Sequence, residues 1–151
     1  MPTVIAFFFL ATVSLMSALY LPSQKFQAEV SVGDTGATSM LAYRQAVIDY
    51  LNANPNFTGT VPDASLTFPW GYVRDTRWTN LVQAGGTLYV YESVANAPST
   101  AQVLDQLYRK TMNSFMVGRN SGGQLVSATG FATGVTVPSA VPNGALLIVG
   151  K

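Results

Sequence analysis

The chain has 151 residues, and its charged residues make up only 10% and give a formal net charge of +1, whereas an ordinary globular chain carries about 25%. This balance argues against a nucleic-acid-binding surface and against a charge-rich disordered tail. Because the chain contains neither cysteine nor histidine, it offers no disulfide, no histidine-dependent catalytic triad and none of the usual zinc sites, and we expect a non-enzymatic protein without cofactor or metal.

Residues 1–22 form a predicted membrane anchor. Residues 2–24 carry no charge, and the stretch from Thr3 to Leu21 supplies the roughly 20 helical residues that a bilayer core of about 30 Å requires. Hydroxyl groups within it can bond back to helix carbonyls, and Pro22 is expected to end the helix. The alternative is a cleaved signal peptide, but the basic start and the small residue before a cleavage site are missing.

Residues 23–37 are interpreted as a linker between this anchor and the rest of the chain. Gly33 and Gly36 stand among scattered polar residues, and alternation of apolar and polar residues over 28–32 is typical of a short strand. The remaining residues, 38–151, are predicted to form one domain.

The clearest helix of this domain runs from Thr38 to Asn54. Its apolar residues recur at steps of three and four, which indicates one buried face: Met40, Tyr43, Val47 and Leu51. Thr38 or Ser39 can cap the start, and the end is set by Pro55, because a residue before proline avoids helical angles.

Extended segments follow this helix. Residues 66–73 are aromatic but contain Pro69, which restricts them to an edge strand or a bulge. Two apolar runs, Trp78 to Ala84 and Thr87 to Ser93, flank a Gly-Gly pair and predict a hairpin with a two-residue turn. In the second run, Leu88 and Val90 should face opposite to Tyr89 and Tyr91.

A second helix is predicted to open at Ser99, where Gln102 completes a capping-box pattern. Its expected buried stripe comprises Leu104, Leu107, Tyr108, Thr111, Met112 and Phe115. Residues 118–123 are then a glycine-rich loop, and strands are expected at Gln124 to Ser127 and Ala145 to Val149, with an irregular stretch between them. The fold class is therefore α+β, with two helices packed on one face of a small, mainly antiparallel sheet.

Four residues form the candidate partner surface: Trp70, Arg74, Arg77 and Trp78. Arginine and tryptophan together can build cation–π contacts or an edge that binds another protein. The alternative is a half-buried strand pair in which the arginines extend their heads into solvent.

Two short motifs could carry chemistry. Asp34-Thr35-Gly36 looks like the catalytic tripeptide of aspartic peptidases, in which two carboxylates share a proton, but no apolar strand precedes it. A turn in front of a helix is the simpler interpretation, and a membrane-anchored peptidase using Asp34 stays as an alternative. The loop 118–123 lacks the Lys-Ser/Thr ending of a phosphate loop, which favours a strand connection.

Residues 40–61 carry a resemblance to a known family. The Tyr-Arg-x-Ala-Val segment from Tyr43 to Val47, the apolar start, Trp78 and the Tyr-Val-Tyr strand at 89–91 resemble the PilM family of plasmid-type thin pili, which belong to type IVb pilus systems. The resemblance implies a small bacterial inner-membrane protein, single-pass, with its domain in the periplasm and with no catalytic residues.

The partners implied by this resemblance are other pilus-assembly proteins and the membrane, with no nucleic acid and no small-molecule substrate, and with oligomerisation left open. A pilin-like structural subunit is the alternative, since pilins also continue from an apolar helix into an α+β head. The absence of a basic leader and of any acid before Glu29 disfavours a processed pilin.

Overall fold

The computed structural model describes the backbone of residues 2–150 and the side chains of residues 9–14, 16, 24 and 27–150. The chain divides into two compact units, Met1–Ser31 and Val32–Lys151. The helices and strands, in chain order, are α1 (Pro2–Ala53), β1 (Trp78–Val82), β2 (Leu88–Glu92), α2 (Thr100–Lys110), β3 (Val117–Ser121), β4 (Gln124–Ser127), β5 (Ala132–Thr136) and β6 (Leu146–Val149), with a 3₁₀ turn at Asp63–Ser65.

The first unit is helical. Its large apolar side chains at Phe9, Leu10, Val13 and Met16 are exposed, and the Thr12 hydroxyl donates to the Phe9 carbonyl at 3.0 Å. Within the described residues, we find no helix with both the length and the hydropathy needed to cross a bilayer. Most side chains of the predicted anchor, residues 1–22, lie outside the described set, and the anchor remains a prediction.

The predicted linker is helical instead. α1 continues through position 22, where proline was expected to end it, and through residues 23–37, so the strand expected over 28–32 is wrong. Between positions 24 and 29 the sequence is rich in Gln, Lys, Ala and Glu, which favour helix. Farther along, Gly33 and Gly36 allow α1 to approach α2, since a Cβ on either residue would collide with Gln102 or Val103.

The second unit is a six-stranded sheet in the order β1-β2-β6-β3-β4-β5, and every pairing in its described strands is antiparallel. Apolar residues of α1 and α2, including Val47 and Leu107, share one core with Val90 and Ile148. Both helices therefore pack on one sheet face, and the α+β prediction is confirmed for this unit.

The other sheet face has its own core. Tyr89 and Tyr91 pack there with Val137 and Val141, which belong to the irregular segment between β5 and β6. The expected alternation along β2 is confirmed, because Leu88 and Val90 lie in the core beneath the helices while the two tyrosines lie opposite. All five residues of β2 are consequently buried.

Several local predictions are wrong in detail. The β1–β2 hairpin closes with three residues, since the backbone N–H of Gln83 donates to the carbonyl of Thr87. Residues 66–73 form no strand. The loop expected at 118–123 is mostly β3, followed by a tight turn in which Gly122 and Gly123 adopt positive φ, and β5 lies inside the stretch that was expected to be irregular.

α2 differs from its prediction at both ends. The Ser99 side chain makes no cap hydrogen bond, because its hydroxyl accepts a bond from Arg77 at 2.8 Å. The helix ends at Lys110, with left-handed backbone at Met112 and Asn113. Met112 and Phe115 are therefore exposed rather than part of the buried stripe.

Candidate functional site

A groove of about 710 Å³ runs between α1 and the segment that precedes β1. One wall consists of the α1 residues 34–36, 38 and 39, and the other consists of residues 71–77. The segment is held to the helix by Tyr72, whose hydroxyl lies 3.4 Å from both the side-chain and the carbonyl oxygen of Ser39. The groove therefore brings together Arg74 and Arg77, two of the four predicted surface residues.

Arg77 is held by Asp75, by Trp78 and by the Ser99 hydroxyl. Its guanidinium forms an ion pair with Asp75 at 2.7 Å and lies 4.8 Å from the ring centroid of Trp78. Burial acts to raise the pKa of Asp75, but the hydrogen bonds and charge of Arg77 outweigh it and hold that pKa below its usual value. The same pairing raises the pKa of Arg77, which remains charged at any physiological pH.

Arg74 repeats this arrangement against a second aromatic ring. It pairs with Asp63 at 2.9 Å, donates to the Trp78 carbonyl at 2.6 Å, and lies 4.3 Å from the ring centroid of Tyr43. Within the predicted set, the cation–π contact between Arg77 and Trp78 is present, whereas Arg74 lies over Tyr43 and over neither tryptophan. The arginines cover the edge of the core, and their charges are already neutralised by carboxylates.

The two tryptophans have opposite environments. Trp78 is fully buried, and its indole N–H donates to the Ser39 hydroxyl at 3.1 Å. Trp70 is fully exposed, at 102% of its reference accessibility, and Val73 is 85% exposed. Of the four predicted residues, only Trp70 presents a large apolar side chain to solvent, so the assignment of Trp78 to a contact surface is wrong.

Stacked aromatic rings hold residues 68–72, which include the exposed Trp70, against α1. Tyr72 stacks on Phe68 at 4.6 Å, and Phe68 stacks on Tyr43 at 6.2 Å between ring centroids. Tyr43 is buried and burial raises its pKa, so its ring stays neutral. This aromatic ladder positions the chain on both sides of Trp70 against α1.

The sheet edge beside this segment is partly occupied. Gly59 and Val82 exchange two backbone hydrogen bonds of 2.8 Å. The side chain of Asn80 also bonds the backbone N–H of Val61 at 2.8 Å and its carbonyl at 3.1 Å. Addition of a partner strand along this edge of β1 is therefore obstructed.

Asp34 lies in the wall of the groove but within α1 rather than in an extended segment. Its carboxylate forms an ion pair with the Lys110 ammonium at 2.8 Å, and Gly36 packs against Val103. A helical Asp-Thr-Gly paired with a lysine lacks the geometry of the peptidase tripeptide, which belongs to an extended strand and needs a second carboxylate. The peptidase alternative receives no support from this arrangement.

Among the described residues, no cluster of three or more Asp and Glu side chains could hold a metal ion. Among the carboxylates that the structure describes, Glu92 is the buried one, at 1% exposure, and its two oxygens share the Thr100 hydroxyl donor at 2.8 and 3.0 Å. Burial raises its pKa. The group ties β2 to the start of α2, and the groove does not include it.

Sequence reasoning missed Tyr43, Asp63 and Val73 as members of this region. Tyr43 was assigned to the buried helix stripe, which is correct, but its role as a platform for Arg74 depends on a contact that sequence spacing does not reveal. Of these three residues, Val73 could have been predicted from the sequence, because it extends the aromatic run that contains Trp70.

The chain is similar to one protein family and to solved structures. A family model described as PilM matches residues 5–149. The crystal structure of a PilM protein from Escherichia coli B7A shares 20% identity at a TM-score of 0.57, covering 82% of this chain and 92% of that chain. That of a PilM protein from Pseudomonas aeruginosa 2192 shares 30% identity at a TM-score of 0.42, covering 79% and 95%. No curated protein matches.

Proposed function

This chain belongs to the PilM family, and we propose that it is a non-catalytic inner-membrane component of a type IVb, thin-pilus assembly machine that works through protein contacts in the periplasm. Membership confirms the resemblance seen in residues 40–61 and indicates a pilus-related role. The match over residues 5–149 is the observation that carries the proposal.

Anchoring in the membrane is supported by the sequence of the first unit. Residues 2–24 carry no charge, and the described apolar side chains there, such as Phe9 and Leu10, are exposed in the isolated chain. Exposed apolar side chains on a helix have a favourable environment in lipid. In this proposal the helix holds the second unit at the periplasmic surface of the bilayer.

Contact with a neighbouring pilus protein is assigned to the segment around Trp70. Tryptophan is enriched among residues that dominate binding energy, because its large ring buries much area at little entropic cost. The aromatic ladder of Phe68 and Tyr72 restrains the backbone on either side of Trp70. Binding of a partner therefore costs little additional conformational entropy in this segment. Val73 extends the apolar surface.

Fractionation and protease treatment test the location. In spheroplasts of a pilus-producing host, the full chain should be found with inner membranes, and added protease should remove the second unit while leaving cytoplasmic markers intact. A chain in the soluble fraction, or one protected from protease until the membrane is opened, would contradict the proposed topology.

A pilin-like structural subunit is the second candidate. The observation that favours it is the uninterrupted helix α1, which runs from Pro2 to Ala53 and leads from the apolar start into the α+β unit. Mass spectrometry of the mature amino terminus separates the two, since an intact start excludes processing, and recovery of the chain in sheared pili would favour the subunit.

A further inference from the structure

Two neighbouring turns of the second unit form one surface. The first, residues 111–116, connects α2 to β3, and the second, residues 128–131, connects β4 to β5. The backbone N–H of Ala128 donates to the carbonyl of Val117 at 3.2 Å, which holds the two turns side by side. The rings of Phe115 and Phe131, one from each turn, are in contact with their centroids 6.0 Å apart.

Four large apolar side chains of these turns are exposed, and we call them the apolar turn patch: Met112 at 93%, Phe131 at 62%, Phe115 at 56% and Met116 at 43%. Met112 and Asn113 adopt φ values of +56° and +61°, which are uncommon for residues other than glycine. Their backbone N–H groups donate to the carbonyls of Arg109 and Tyr108 at 3.2 and 2.9 Å. These bonds fix the turn in a conformation that keeps Met112 out of the core. Contiguous exposed apolar side chains of this kind mark a contact surface.

The part of the chain that carries the patch has only basic charges. No Asp or Glu occurs between residues 106 and 151, and neither turn contains a charged residue. Arg109 and Lys110 form the end of α2, directly before the first turn. They reach Asp105 and Asp34 in ion pairs of 3.1 and 2.8 Å whose members are all partly exposed. Because exposed pairs of this kind are weak, both cations can exchange these partners for phosphate groups at little cost.

We propose that the apolar turn patch inserts into the interfacial layer of a lipid bilayer, so that the second unit itself contacts the membrane. The proposal rests on the proposed function, in which residues 1–22 hold the chain at a bilayer. Binding to a bilayer surface increases with the apolar area buried at the boundary between headgroups and acyl chains and with the attraction of Lys and Arg to anionic headgroups. The patch supplies the apolar area, and Arg109 and Lys110 supply the cations. No acidic residue between 106 and 151 opposes the contact.

The path of the chain favours lipid over another protein as the occupant. α1 enters the second unit at Val32, and Asp34, two residues later, forms its ion pair with Lys110, the last residue of α2. The chain that arrives from the predicted anchor is therefore joined to the residue that precedes the first turn. A surface tethered to a bilayer meets lipid at a high effective concentration, so that a patch of four side chains can suffice.

Fluorescence from single labelled sites tests the contact, and the lack of native cysteine makes the labelling specific. The full chain with Met112→Cys or Phe131→Cys, carrying a nitrobenzoxadiazole label, is reconstituted into vesicles of phosphatidylethanolamine and phosphatidylglycerol. The emission of both labels should shift to the blue, and lipids with a spin label near the headgroup should quench it. Val94→Cys, an exposed apolar position outside the two turns, is the matched control and should show neither effect. Equal quenching at positions 94, 112 and 131 would overturn the assignment to this patch.

Flotation of the same vesicles separates this proposal from the proposed function. A chain that does not float with the vesicles lacks the anchor, which contradicts both. A chain that floats while its labels at 112 and 131 remain in water, like the label at 94, keeps the anchor and overturns the patch contact alone. A blue shift without quenching by the spin-labelled lipid would show that protein covers the patch and would overturn the contact with lipid.

A substitution within the patch gives a second readout. Phe115→Ser removes one exposed ring, and in this variant the label at position 131 should lose most of its quenching by the spin-labelled lipid. Val94→Ser, with the label at the same position, should retain the quenching. If the two variants are quenched equally, the Phe115 ring does not contribute to the contact and the proposed patch is wrong.

Discussion

The guanidinium of Arg77 lies over the indole ring of Trp78, 4.8 Å from its centroid, and seals a fully buried side chain from solvent. The sequence presents Trp70 and Trp78 as equivalent members of one surface, but this contact assigns them different roles. Trp78 stabilises the domain, and Trp70 remains free to contact another molecule. The following predictions separate the two.

Replacement of each tryptophan by alanine should affect stability very differently. Trp78→Ala removes a buried ring and should lower the free energy of unfolding by about 3–5 kcal/mol. Trp70→Ala removes an exposed ring and should change it by no more than about 0.5 kcal/mol. Urea unfolding of the second unit in detergent, followed by circular dichroism, measures both, and comparable losses would show that Trp70 packs in the fold.

The buried amide of Asn80 should contribute strongly to stability. Its side chain bonds the backbone of Val61 and donates to the Tyr43 hydroxyl at 2.7 Å. Asn80→Ala leaves these groups unpaired and should cost about 1–3 kcal/mol. Asn52→Ala, at an exposed position of α1, is the control and should be neutral or slightly stabilising, because alanine favours helix.

Close packing of the two helices should make Gly33 intolerant of a side chain. A Cβ there would lie 2.6 Å from the Gln102 carbonyl oxygen, so Gly33→Ala should destabilise by about 1–3 kcal/mol, despite the gain of about 1 kcal/mol in helix propensity. The adjacent exposed position, Val32→Ala, is the control for thermal unfolding. If Gly33→Ala raises the melting temperature, α1 and α2 do not meet at this point.

Glu92 should make the domain less stable as pH rises. Burial raises its pKa in the folded state above the ordinary value of 4.5, so the folded chain holds a proton that the unfolded chain has released. The contribution of protonated Glu92 to the free energy of unfolding is complete below the pKa of this group in the unfolded chain. It is lost as the pH rises through the pKa of the group in the folded chain. Glu92→Gln keeps an acceptor for Thr100 and should weaken the dependence of stability on pH. The measurement is the free energy of unfolding from pH 4 upward. If it falls with pH as steeply in the variant as in the wild type, Glu92 is not the group responsible.

Much of the architecture can be predicted from the sequence. The apolar period that contains Met40 and Leu51 locates the buried face of α1, and the glycine pair at 85–86 locates the hairpin. The prediction fails at 23–37, where glycines were read as breaks although they permit contact between helices. It fails at Trp78 and Phe115 as well. The sequence shows that each residue is large and apolar, but it does not show whether another part of the chain buries it.

Photo-crosslinking from position 70 in cells tests the central claim most directly. A photoreactive phenylalanine analogue in place of Trp70, in a pilus-producing host, should form a covalent adduct with another pilus-assembly protein. The same analogue at Asn52, an exposed position of α1 whose replacement should leave the fold intact, should yield none. If position 70 yields no adduct while the variant is stable and membrane-bound, the proposed contact surface is wrong.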